Sequence, residues 1–529
     1  MKRLFQTVIF VTATVFLMLP QSALASASTP AFAFNKSSLF LSASGSRYHS
    51  SGGLSSVGGN GNYWSAAANS QTNAYNLNFN SGNVNPLNNN NRANGFSVRA
   101  VQASNRPDLR FTTMQLSKEE LHRLLTLAYL DARKNERNAD SQLQFELNLE
   151  RNLWNLCEDL YSRKWRPLPP VCFIITKPTV REVFAPRFED RIVSHLLFNM
   201  IAPLCERTFI YDSYSCRKGK GTLFGVERFE HHLRAATDNF THEAFVLNVD
   251  ISGYFMNINK AILYNILCDS LSKYRIRLAD NSKTFDDIID ISFVDYLIRA
   301  ILFRNPTENC IRVGSIHDWD PLPPHKSLFF SPLGTGLTIG DLTSQLFSNV
   351  YMNPFDQFCK RELHLSNYGR YVDDARAIDA DRCVLQDCIP LMRDFLHNEL
   401  KLTLHPNKTN ITSTHGENIF LGADCREFRR YAVNRTVASF RSAVHELEYI
   451  LTDSSSALSI DDYNKALSRL NSYLGYFQHF NERKMLDRTL HDSSLNAVFL
   501  FSRNYTKANI RPDIKSLFNS SNYAQINLC

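Results

Sequence analysis

Asn367-Tyr-Gly-Arg-Tyr-Val-Asp-Asp-Ala-Arg-Ala-Ile-Asp379 is the stretch on which the fold of this 529-residue chain turns. Two adjacent carboxylates, Asp373 and Asp374, stand between short runs rich in aromatic and aliphatic residues. That pattern predicts a tight β-hairpin with its acidic side chains at the tip. Carboxylates held this way suit magnesium, which takes oxygen ligands and keeps waters beside substrate phosphates. Taken alone, an Asp-Asp pair is also a common solvated turn. Upstream, however, Phe245-Val-Leu-Asn-Val-Asp250-Ile-Ser-Gly-Tyr-Phe255-Met-Asn-Ile258 predicts an apolar strand that delivers Asp250 at its end and turns at Gly253. Three carboxylates from neighbouring strands suit a two-metal site that clamps both ends of an in-line phosphoryl displacement.

A strand of the form Asp-(x)4-aromatic followed by a Tyr-x-Asp-Asp hairpin resembles the palm of the reverse transcriptases, and the resemblance runs over roughly residues 120 to 500. Between the two motifs, Gly334-Thr-Gly-Leu-Thr-Ile-Gly340-Asp-Leu-Thr-Ser344-Gln345 predicts a glycine-rich loop opening an amphipathic helix, where glycine lets the backbone approach phosphates or template. Leu402 to Ile411 and Glu417 to Ala423 resemble the last palm elements. The resemblance implies an α+β right-hand polymerase fold, with fingers, a palm built on an antiparallel sheet, and a helical thumb. It implies Asp250, Asp373 and Asp374 as catalytic residues. These three and Ile251 would hold two Mg2+ ions, with Mn2+ as a substitute. Lys408 would pack near that site, Gly422 would lie in the segment gripping the primer, and Gln345 and Tyr371 would meet template or primer. The partners are then an RNA template, a DNA or RNA primer and deoxynucleoside triphosphates.

In the fingers, Arg181-Glu-Val-Phe-Ala-Pro186-Arg-Phe-Glu-Asp-Arg191 precedes Tyr211-Asp-Ser-Tyr-Ser-Cys-Arg217-Lys218-Gly219-Lys220. Residues 163 to 234 hold about thirteen Lys or Arg against seven acidic residues, a bias suited to phosphate contacts and equally to a solvated loop. By resemblance, Arg217 and Lys218 face the triphosphate, while Arg181 and Arg191 position fingers or template. Phe255 falls where the family places an aromatic under the sugar, a gate against the 2′-hydroxyl.

Most of the family carries Gln-Gly in the glycine-rich loop, and here the pair is Ile339-Gly340. That form resembles the reverse transcriptases of diversity-generating retroelements, which copy a template-repeat RNA with errors concentrated at adenines. Loss of a hydrogen-bonding amide beside the nucleotide removes a geometric check on the base pair. The resemblance also implies a small basic accessory variability protein as partner. Two other readings stay open: a group II intron, retron-like or defence reverse transcriptase, and a secreted lectin-like binding protein fused to an inactive polymerase.

The N-terminal hundred residues differ in kind. Met1-Lys-Arg, an apolar stretch from Leu4 to Pro20 and Ala23-Leu-Ala25 match a signal peptide over 1–25. Residues 26–113 are rich in Asn, Ser and Gly, with about fourteen Asn between Asn60 and Asn94, and are expected to be poorly ordered. Asn62-Tyr-Trp-Ser and Asn94-Gly-Phe-Ser-Val-Arg99 resemble a lectin-like domain, as a translated template repeat would. A polymerase works in the cytoplasm, so the leader conflicts with it. An enzyme starting near Met114 removes the conflict, and no stable membrane association is expected of the mature enzyme.

The expected organisation is N-terminal helices and fingers over 114–240, palm over 241–428 with an insertion from 260 to 330, and helical thumb and tail over 429–529. Ser117-Lys-Glu-Glu120 predicts a helix start, and Phe145, Leu149, Leu153, Leu156 and Leu160 predict one further helix. A net charge of +7 is compatible with nucleic acid. Eleven cysteines without a CxxC pair suit reduced thiols.

Overall fold

The computed structural model describes residues 116–517, apart from 135–138, 177–178, 280–289 and 453–457, together with the backbone of a few short strands outside that range. The chain divides into two units, Met1–Thr112 and Thr113–Cys529. In the first, Gly61–Ala68, Asn73–Asn80 and Asn83–Asn91 pair as a three-stranded antiparallel sheet, where composition alone argues against regular structure. The signal-like segment 1–25 lies outside the described residues.

At the centre of the second unit lies a four-stranded antiparallel sheet. Its strands run in the order Asn367–Tyr371, Asp374–Asp379, Phe245–Val249, Asn410–Ser413. Val246, Leu247 and Val249 are buried, as are Ala375, Ala377 and Ile378 opposite them, so apolar packing on the sheet fixes the register. The helix Leu342–Arg361 packs against this core through Phe347, Val350, Tyr351 and Phe355, and Asp341 caps its N-terminus by accepting from the Thr343 N–H at 3.1 Å. The predicted start at Ser117 is observed: its side chain accepts from the Glu120 N–H, and the helix runs Lys118–Ala132.

The single helix expected through Phe145 and Leu160 is instead two, Asp140–Glu146 and Leu149–Tyr161. Asn148 leaves helical geometry at φ −132°, and the Asn152 side chain donates to the Phe145 carbonyl at 2.8 Å across the break. The fingers carry the hairpin Val171–Ile175 and Arg181–Ala185, then the helices Phe188–Glu206 and Thr222–Ala236. The segment read as a palm insertion also feeds the fingers, because Ile311–Arg312 pairs in parallel with Val171 and Cys172.

C-terminal to the palm, helices Asn434–Thr452, Ile460–Phe477 and Arg483–Leu490 bury their own apolar core with the hairpin Phe499–Phe501 and Ala508–Ile510. Palm sheet, fingers hairpin and separate helical core make up the α+β right-hand arrangement. Among the described residues no helix is long and apolar enough to cross a membrane, and the ten described cysteines form no disulfide.

Candidate active site

Asp250 emerges where the strand Phe245–Val249 ends. The backbone then turns at Gly253 in the left-handed region (φ 54°), where a Cβ would stand 2.9 Å from the Asn257 amide and 3.1 Å from the His325 carbonyl. The turn is pinned by Leu404: Ile251 bridges to it, with bonds from Ser252 N to the Thr403 carbonyl at 2.9 Å and from His405 N to the Asp250 carbonyl at 2.8 Å.

Because Ala375 pairs with Val249, Asp374 and Asp250 lie at the same end of the two inner strands. The hairpin is tight. Tyr371 pairs with Asp374 across the two residues Val372 and Asp373, and Val372 sits at φ 58°. A β-branched residue there costs on the order of 1–3 kcal/mol, so the surroundings must impose it. Ser215 Oγ accepts from the Val372 N–H at 3.2 Å, and Arg370 donates to the Val372 carbonyl at 2.6 Å. Arg370 is wholly buried and forms a two-pronged pair with the equally buried Asp356 of the helix Leu342–Arg361, both bonds at 2.7 Å, while the Tyr368 hydroxyl donates to the same carboxylate at 2.8 Å. Neither Arg370 nor Asp356 stood out in the sequence. Their signal was present nonetheless: an arginine inside an otherwise buried strand, and an aspartate on the apolar face of a helix.

Burial, reinforced by Asp250 and Asp374, pushes the Asp373 carboxyl up to about 6 against the pull of Lys408. Burial likewise raises Asp374, opposed by Arg376, which donates to it, and aided by Asp250. Lys408 Nζ stands 3.3 and 3.2 Å from the two Asp250 oxygens. Among the described residues no three His, Cys, Asp or Glu side chains stand close enough to hold an ion as they lie. Even so, the donor set fits a hard divalent cation: oxygen ligands only, mutually repelling, with Lys408 and Arg376 now supplying the positive charge.

Phe255 and Ile339, the residues expected beside the nucleotide, are both half-buried against one apolar cluster of Cys172, Phe184, Met256 and Leu328. The Ile339 carbonyl accepts from the Phe184 N–H at 2.9 Å. Gly340 has φ 117°, and a Cβ on it would meet Val183 at 2.9 Å, so glycine serves close approach to the fingers strand there. Lys218 and Gln345 are exposed, and Tyr371 is half-buried beside the cluster around Tyr214 and Phe420. Arg181 is exposed and donates to Thr179 at 3.3 Å, while half-buried Arg191 donates to the Pro186 carbonyl at 3.2 Å. The Gly422 carbonyl accepts from the Tyr476 hydroxyl at 3.0 Å, tying the palm to a C-terminal helix.

Arg217 departs from the expectation of a triphosphate contact. Its side chain is only 7% exposed and donates to Glu206 and to the carbonyls of Ile210 and Ser213, each at 2.8 Å. Those acceptors make it a brace for its own loop, leaving Lys218 as the exposed cation of the pair.

Residues 175–425 match the family described as reverse transcriptase (RNA-dependent DNA polymerase). Protein YkfC of Escherichia coli (strain K12) is 23% identical over 335 residues, covering 56% of this chain and 77% of that protein. Among solved structures, telomerase from Candida albicans in complex with a TWJ fragment of telomeric RNA is similar at 12% identity and a TM-score of 0.35, over 63% of this chain and 58% of that one. Apo telomerase from Candida Tropicalis, truncated from its C-terminal domain, is similar at 10% identity and a TM-score of 0.35, over 50% and 56%. The chain thus spans less than two thirds of these telomerase chains.

Proposed function

We propose that this chain, which carries the reverse-transcriptase domain of an RNA-directed DNA polymerase over residues 175–425, copies a template-repeat RNA into error-bearing DNA within a diversity-generating retroelement. The observation that carries the polymerase reading is the placement of Asp250, Asp373 and Asp374 at one end of the central sheet. Two magnesium ions held by these residues and the Ile251 carbonyl would activate the primer hydroxyl and clamp the triphosphate. The protein's own part is positioning. Lys408 balances charge beside Asp250, exposed Lys218 is assigned as the fingers cation for the triphosphate, and Arg181, Arg191, Gln345, Tyr371 and Gly422 are assigned to template and primer. Fingers to residue 240, palm over 241–428 and thumb beyond it are the working subdivisions. An accessory variability protein and a cytoplasmic site of action belong to the same proposal.

The mutagenic part rests on Ile339, which offers the nucleotide a hydrocarbon face instead of an amide. Restoring the amide with Ile339→Gln is expected to lower misincorporation opposite template adenine by about tenfold, read by sequencing the products. Unchanged error frequencies would defeat the assignment. Phe255 supports the companion expectation that Phe255→Val admits ribonucleotides, cutting discrimination against them by roughly 10- to 100-fold in single-nucleotide kinetics. If ribonucleotide use stays flat, Phe255 is a packing residue only.

The direct test is primer extension by the full chain with magnesium on an adenine-containing RNA template, with the Asp373→Ala/Asp374→Ala double variant as control. DNA that depends on the pair and errs mainly opposite adenine supports the whole reading. Accurate DNA removes the mutagenic role. No DNA, even with accessory protein and cognate RNA supplied, removes the polymerase.

A further inference from the structure

Between the palm helices and the glycine-rich loop runs a segment, Ile316 to Phe330, made of three short 3-10 turns. It touches elements that the polymerase reading places around the nucleotide. The His325 carbonyl lies against Gly253, and Leu328 packs so closely on Gly336 that a Cβ there would collide with it. The contact to the fingers is polar: Glu182, 1% exposed, accepts from Trp319 Nε1 at 2.8 Å, Ser327 Oγ at 3.0 Å and the Leu328 N–H at 2.7 Å. A buried carboxylate with three donors converging from one segment is a strong, directional anchor, because each donor left behind would be unpaired. Arg312, stacked 4.1 Å from the Phe329 ring, closes the same seam, and Phe329 lies 5.7 Å from Phe184.

Phe255 and Ile339 rest on the cluster to which this segment contributes Leu328, Trp319 and Phe329. Their backbones are tied in as well, Leu337 N to the Phe255 carbonyl and Phe184 N to the Ile339 carbonyl, both at 2.9 Å. Glu182 is on the same strand as Phe184, so one strand carries both the anchor and the backbone bond to Ile339. We infer that Glu182 is a positioning residue for nucleotide selection, anchoring the segment Trp319 to Phe330 as a wedge that fixes the spacing between Phe255 and Ile339. This deepens the polymerase reading and rests on it for the identity of the ligand.

The test uses the full chain, with Glu182→Ala, Glu182→Gln and Trp319→Phe, and two readouts. In single-nucleotide kinetics, Glu182→Ala is expected to lower the kcat/KM preference for the correct deoxynucleotide over mismatched and ribonucleotide substrates by about tenfold, with kcat for the correct one within about threefold of wild type. Glu182→Gln, which keeps one acceptor oxygen, falls between. Trp319→Phe removes a single donor and gives about a threefold loss, which covers the case of a Glu182→Ala chain that does not fold. Hydrogen exchange supplies the second readout: the amides of Phe184, Gly336 and Leu337 exchange faster in each variant. A uniform loss of kcat/KM for every nucleotide, or unchanged exchange at those amides, overturns the inference. A wild-type chain that extends no primer defeats the polymerase reading instead, and the exchange data then decide on the wedge by themselves.

Discussion

Asp373→Asn is expected to suppress DNA synthesis strongly while making the metal-free protein harder to unfold. In the role proposed for Asp373 at the metal site, losing its charge is expected to lower the rate of single-nucleotide addition by on the order of 10²- to 10³-fold or more. The gain in stability follows from the crowding of carboxylates. Asp373 keeps its proton to about pH 6 in the folded chain, whereas the unfolded carboxyl ionises near 3.8. Between those values the native state binds more protons than the unfolded state, so wild-type stability falls as pH rises from about 4 through about 6 and stays low above that. Replacing Asp373 by Asn removes this dependence. Thermal unfolding in EDTA at pH 5 and pH 7.5 therefore shows a higher Tm for the variant at pH 7.5 and convergence of the two proteins at low pH. Added magnesium raises the Tm of wild type at pH 7.5 and leaves the variant nearly unchanged. A variant that keeps primer extension, or that is less stable than wild type in EDTA at pH 7.5, would contradict the charge-crowding account.

The palm was legible because its determinants are local. An apolar strand ending in Asp250, a turn-forming glycine three residues later and a carboxylate hairpin each fit within about a dozen residues. The same holds for the helix that starts after Ser117, where one hydroxyl caps the first turn. What was not legible depends on partners far along the chain. Nothing near Ile311 announces that it will pair with Val171 in the fingers, because parallel pairing leaves no turn signal. Arg217 reads as one more cation in a basic run, and its true surroundings, Glu206 and two carbonyls, exist only once the loop folds back on its preceding helix. The apolar stripe from Phe145 to Leu160 continues unbroken in sequence although the helix does not, since periodicity records which face is buried and is silent on a single non-helical residue such as Asn148. Glu182 belongs to the same class: an acidic residue in a fingers strand looks solvated until Trp319, Ser327 and Leu328 arrive from more than a hundred residues away.

The buried pair of Arg370 and Asp356 separates stability from catalysis more cleanly than any other feature of the site. Asp356→Ala leaves a guanidinium without its partner in a fully buried position and is expected to destabilise the chain by about 3–5 kcal/mol, seen as a shifted denaturation midpoint or as loss of soluble protein. Removing both charges together, with Asp356→Leu and Arg370→Met, takes away the unpaired ion and recovers most of that loss, since apolar pairs of similar volume commonly replace buried ion pairs at little cost. Activity should not return with stability. Arg370 also donates to the Val372 carbonyl, and Val372 carries the left-handed conformation that presents Asp373. Without that bond the strained turn is free to relax, and the carboxylates lose the placement that the chemistry requires. The double variant is therefore folded and poorly active, with primer extension reduced about 10²-fold, the scale on which a displacement of about 1 Å acts at a reacting centre. Full activity in a folded double variant would show that the remaining bonds, among them Ser215 Oγ to the Val372 N–H, suffice to hold the hairpin and that the Arg370 side chain serves only the core.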